Sequence, residues 1–137
     1  MFLVSCIKSP TSTLEINPTL PKTEEVKEIV LNEIFSFGEE REITITNQEQ
    51  INNLMELLYS LNLSDFPDDY DHDAIRWIGG SSFFVTVKTE KEIHRVRLSN
   101  DQYCNDKGVV YYMVYEEYLP FYKYATSLYP PLTESDL

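Results

Sequence analysis

Two cysteines, two histidines and four glycines among 137 residues leave little material for several kinds of chemistry. Phosphate-cradling loops need clustered glycines at fixed spacing, and Gly38, Gly79, Gly80 and Gly108 do not supply it. Neither His72 nor His94 has a second histidine at metal-ligand spacing, and no Ser/His/Asp grouping is legible. Bases are also scarce: 11 Lys and Arg against 23 Asp and Glu leave a net charge of -12. Nucleic-acid binding requires a positive footprint that releases counterions, so DNA and RNA are excluded as main partners. The longest apolar stretch inside the body, Val109 to Tyr115, falls far short of the ~20 residues that span a bilayer. With no catalytic or metal-binding pattern, the expectation is a protein without catalytic activity, cofactor or metal.

What is present points to one globular domain. Hydrophobic residues make up 42% and aromatics 13%, so a core is available and the acidity belongs on the surface. The first 24 residues read differently. Leu3-Val4-Ser5-Cys6 has the apolar-x-small-Cys form of a lipobox, truncated because only five residues precede Cys6, and the alternative is an apolar first strand with an ordinary thiol. Pro10, Pro18 and Pro21 with several threonines then suggest an extended tether, although Leu14, Ile16 and Leu20 would also suit a leader strand laid along the domain. Residues 25–130 form the expected domain, and 131–137 a disordered tail.

Within the domain, Val26 to Phe35 and the alternating Glu42-Ile43-Thr44-Ile45-Thr46 read as a hairpin turning at Gly38. Thr46 and Glu49 have capping-box spacing ahead of Ile51, Leu54, Leu57, Leu58 and Leu61, which share one helical face up to Asn62. Ser82 to Glu90 and Glu92 to Leu98 read as two more strands and Gly108 to Glu116 as a third. A last helix is expected from Leu119-Pro120, because proline is tolerated in a first turn. The order β-β-α-β-β-β-α implies an α+β fold: an antiparallel sheet of about five strands with two helices packed on one face.

Three features invite a functional reading. Asp65, Asp68, Asp69, Asp71 and Asp73 crowd one loop. Asp69-x-Asp71-x-Asp73 imitates the start of a calcium loop but puts Ala74 where glycine is needed and Gly80 where a bidentate glutamate is needed. From Glu39 to Asp73 ten acids face only Arg41, whereas Arg76, Lys88, Lys91, Arg95 and Arg97 outnumber the acids of the next stretch. Eight of the ten tyrosines lie between Tyr103 and Tyr129. Tyr112, Tyr115 and Tyr118, with Trp77 at the rim, are the candidate ligand surface, since tyrosine brings contact area at low entropy cost. Cys104 sits in a polar stretch without a base, so it is not a candidate nucleophile. His94, in register with Val96 and Leu98, reads as a hydrogen-bonded core or rim residue.

Leu3-Val4-Ser5-Cys6, the Ile43-Thr44-Ile45-Thr46 strand running into Glu49-x-Ile51-x-x-Leu54-x-x-Leu57-Leu58, and Tyr111-Tyr112-x-Val114 together resemble small domain-of-unknown-function lipoproteins of Gram-positive gut bacteria. The resemblance implies lipidation at Cys6, an extracytoplasmic location and a compact α+β domain, and it carries no activity. Two readings of function follow. One is a monomeric, lipid-anchored binding or accessory module, touching the membrane only through its lipid and contacting a protein, peptide or glycan at the cell envelope. The alternative is a small acidic inhibitor or immunity-type protein, which could be cytoplasmic, using Asp68, Asp69, Asp71 and Asp73 to steer onto a basic toxin or enzyme.

Overall fold

The computed structural model describes residues 20–35, 38–70 and 81–130. The expected lipobox with Cys6, nearly all of the tether and the tail 131–137 lie outside them. Strand alternation organises the rest. In β1 (Glu28–Phe35) Ile29, Leu31 and Glu33 are buried while Val30, Asn32 and Ile34 are partly covered, the period of two that one buried sheet face imposes. β2 (Glu40–Ile45) returns antiparallel to β1 through Gly38, whose φ of 96° suits a residue without a Cβ.

α1 (Gln48–Tyr59) buries Ile51, Leu54, Met55 and Leu58. Its cap is Asn47, whose side-chain oxygen accepts from the Gln50 amide at 2.9 Å, and not the expected Thr46. Asparagine is the stronger capping residue, and the helix starts one position later to use it. Next come β3 (Leu63–Ser64), β4 (Ser81–Lys88), β5 (Ile93–Ser99), β6 (Gln102–Cys104), β7 (Val110–Met113) and α2 (Tyr115–Ser127).

The strands form one antiparallel sheet in the order β2-β1-β4-β5-β6-β7-β3. The α+β class and the two helices match the expectation; the described strands number seven against about five, the additions being β3 and β6. β7 is shorter than the stretch from Gly108 to Glu116 because Val114 already caps α2. α2 begins at Tyr115 and carries Pro120 inside it. Pro120 has no N–H for the Glu116 carbonyl, but the earlier start brings Tyr118 into the core beside Phe121, which outweighs one missing hydrogen bond.

Both helices pack on the face formed by Leu31, Phe83, Val85, Val96 and Leu98. The Phe83 ring meets Phe121 edge-on at 5.8 Å, and Asn53 of α1 donates to the Tyr124 hydroxyl of α2 at 3.0 Å. The core also takes in Leu20, which the sequence placed in the tether. The Tyr59 hydroxyl reaches the carbonyls of Pro21 at 2.7 Å and Leu20 at 3.2 Å, holding this segment beside α1.

Glu33 and Arg41 place a charged pair on the core-facing side of the sheet. Glu33 is 1% exposed, and its carboxylate accepts from Arg41 Nε at 2.8 Å and from the Ser81 hydroxyl at 2.7 Å. The Arg41 guanidinium lies 4.1 Å from the centre of the Tyr129 ring, and the Tyr129 hydroxyl donates to the Leu31 carbonyl at 2.9 Å. Three strands and the segment after α2 thus converge on one carboxylate. Arg41→Met is expected to destabilise the fold by about 3 kcal/mol or more, because it leaves a buried charge uncompensated. Adding Glu33→Gln should recover part of that loss, which a double-mutant cycle by urea denaturation measures.

Candidate functional site

The sheet face turned away from the helices carries no described helix. Its outward positions fall into rows set by strand register. Glu42, Asn32, Phe84, Arg97, Cys104 and Val110 align in one row. Thr44, Val30, Thr86 and Arg95 make the next row on one side. Ser99, Gln102, Tyr112 and Ser64 make a row on the other side, toward β3. Opposite cross-strand neighbours stand roughly 5 Å apart, so residues remote in sequence become one surface.

An aromatic patch occupies the β7–β3 wing. Tyr112 stands between Gln102 and Ser64, and the chain leaving β3 folds Phe66 and Tyr70 against it. Ring centres lie 6.0 Å from Tyr112 to Phe66, 5.9 Å from Tyr112 to Tyr70 and 4.6 Å from Phe66 to Tyr70, the first two edge-on. Edge-on and tilted contacts are the favoured geometry for aromatic quadrupoles. The Tyr70 hydroxyl donates to Asp101 Oδ1 at 3.0 Å, tying the loop to the β5–β6 turn. In that turn Asn100 adopts φ 42°, the left-handed conformation asparagine tolerates better than most residues. All three rings are half-buried, and each keeps part of its surface accessible.

Nearer the middle of the sheet, the Arg95 guanidinium sits 4.2 Å from the centre of the Phe84 ring, a cation–π contact. Arg97 lies beside it, between Phe84 and Cys104, and its Nε is buried without a hydrogen-bond partner among the described residues. In a chain with twice as many acids as bases, two neighbouring arginines without a carboxylate partner among the described residues are notable for their placement.

The candidates from sequence separate clearly. Tyr112 belongs to the aromatic patch. Tyr115 is the first residue of α2 and packs its ring 6.4 Å from Tyr118. Tyr118 is 1% exposed and is a core residue, which removes it from any ligand surface. Its burial pushes the phenol pKa well above the ordinary value, with nearby Tyr122 and Glu33 adding to the effect. Asp65, Asp68 and Asp69 are exposed around the turn that leads to Tyr70, whereas Asp71, Asp73 and Trp77 lie outside the described residues. Phe66, Tyr70 and Phe84 were missed, the first two because the surrounding aspartates masked them.

Among the described residues, no group of three or more His, Cys, Asp and Glu side chains is placed to hold a metal ion, and the Cys104 thiol is free. No described helix is long and apolar enough to cross a membrane. His94 lies between two carboxylates, Nδ1 at 2.7 Å from Asp106 and Nε2 at 3.1 Å from Glu92. It clips the end of β5 to the turn between β6 and β7. Burial opposes its charge, but the hydrogen bonds to Asp106 and Glu92 and their negative charges prevail and hold its pKa above the ordinary value. A raised histidine pKa stabilises the fold fully below the unfolded value of about 6.5, and the stabilisation disappears as pH rises through the folded value. Wild type should therefore exceed His94→Gln in stability by more at about pH 6 than at about pH 8.5, read from paired urea titrations.

No protein-family model matches the chain, and neither does any curated protein or solved structure.

Proposed function

We propose that this chain is a non-catalytic binding or accessory module of the cell envelope, anchored by lipid at Cys6 in the manner of the small lipoproteins it resembles. Its ligand, a protein, peptide or glycan of the envelope, contacts the wing formed by Tyr112, Phe66 and Tyr70. The observation that carries this reading is the convergence of these three rings on a sheet face that no described helix covers. Aromatic side chains that hold one another in place offer apolar area with little further ordering cost, which favours binding. The acidic-inhibitor alternative draws on Asp65, Asp68 and Asp69, which are exposed and form no ion pair among the described residues.

Two measurements test the proposal. In a Gram-positive host fed a labelled fatty acid, and expressing the gene with its upstream DNA, wild type should take up label and Cys6→Ala should not. Unlabelled wild type in the soluble fraction would end the anchoring claim. Retention of the purified protein on isolated cell-wall sacculi should fall about tenfold in Tyr112→Ala, the loss expected for a central aromatic contact. Equal retention of both proteins would remove the aromatic wing as the contact surface.

A further inference from the structure

The outer face has a charge pattern that the aromatic wing does not explain. Across β2, β1, β4 and β5 its outward charges are Glu28, Glu40 and Glu42 against Lys88, Arg95 and Arg97, a balanced set in a chain of 23 acids and 11 bases. Glu28 and Lys88 already pair across β1 and β4 at 3.1 Å. The other four charges do not meet. Both glutamates are on β2 and both arginines on β5, at opposite sides of the four-strand block. Between them, the seam of β1 and β4 presents neutral side chains, among them Val30, Asn32, Phe84 and Thr86.

Such a face is complementary to itself. A two-fold axis running parallel to the strands, directly above the seam, exchanges β2 with β5 and β1 with β4. It leaves every lateral row where it was. Glu42 and Arg97 belong to the same row, so Glu42 of each copy meets Arg97 of the other, and the contact occurs twice. Reciprocal contacts of this kind define an isologous interface. Thr44 and Arg95 share the next row and oppose each other in the same way. Two twisted antiparallel sheets pack well with strands aligned to within about 30° and faces about 10 Å apart.

We propose that the chain forms a symmetric face-to-face dimer through the outer surfaces of β2, β1, β4 and β5, with Glu42 and Arg97 as its reciprocal ion pairs. The partner supplies the carboxylates that Arg95 and Arg97 lack among the described residues of their own copy. Four strands at ~4.8 Å and about six residues at ~3.4 Å give a footprint of about 19 by 20 Å, smaller than that of standard specific interfaces and suited to a weak, transient one. Net charge on both copies opposes association, so the dimer is reversible and concentration-dependent. β6, β7 and β3 project beyond the footprint and leave the Tyr112 patch uncovered on each copy. The dimer and the ligand-surface proposal therefore stand or fall separately.

Sedimentation equilibrium of the full chain, from tens to hundreds of micromolar, tests this. A monomer–dimer equilibrium is expected. Glu42→Arg and Arg97→Glu should each raise the dissociation constant at least about tenfold, because like charges then oppose each other twice. An equimolar mixture of the two variants should dimerise again, since each provides the charge the other has lost, and that recovery also shows both variants to be folded. A wild type that stays monomeric throughout the range would overturn the proposal. So would a dimer indifferent to either substitution, or variants that fail to associate when mixed.

Discussion

The buried carboxylate of Glu33 constrains the rest of the structure. An ionised group at 1% exposure is tolerable only with a counterion and hydrogen-bond donors in place. Arg41 on β2 and Ser81 on β4 supply these from the two strands that flank β1. The three residues meet only in the observed register. A slip of two residues along β1 would keep its apolar face inward but carry Glu33 away from Arg41 and Ser81, so the ion pair fixes the alignment that hydrophobic alternation alone leaves adjustable. It also explains why Arg41 is the lone base in the strongly acidic stretch from Glu39 to Asp73. Its role is internal, with its guanidinium spread over the Tyr129 ring.

Much of this fold was readable where side-chain periodicity persists. Phe83, Val85 and Val87 alternate over a full strand, and Ile51, Leu54 and Leu58 repeat over two turns of helix. The short strands β3 and β6 were not readable, since two or three residues carry no period and are strands only because β7 and β5 pair with them. The start of α2 was misplaced for a different reason. Pro120 favours a first turn, but burial of Tyr118 and Phe121 on one face extends the helix past it in the N-terminal direction. Local propensity yielded to packing, as it commonly does at helix ends.

The candidate site was only partly legible. Tyr112 could be placed on a strand, and the concentration of tyrosines from Tyr103 to Tyr129 pointed to Tyr115 and Tyr118 as its companions. Helix α2 takes those two residues to the core side. The companions are Phe66 and Tyr70, which precede Tyr112 by more than 40 positions and reach it through the pairing of β3 with β7. Non-local partners of this kind leave no trace in composition or spacing. The same holds for the shared row of Glu42 and Arg97, which depends on the registers of three separate strand pairs.

The hydrogen bond from Tyr129 to the Leu31 carbonyl spans 98 positions of sequence, almost the full described length of the domain. β1 acquires its inner neighbour only when β4 has been made, and Glu33 waits on Ser81, 48 positions later. A ribosome releasing this chain from its N-terminus therefore delivers β1, β2 and α1 long before their closing contacts exist. The domain closes only once Tyr129 has left the ribosome and can reach the Leu31 carbonyl.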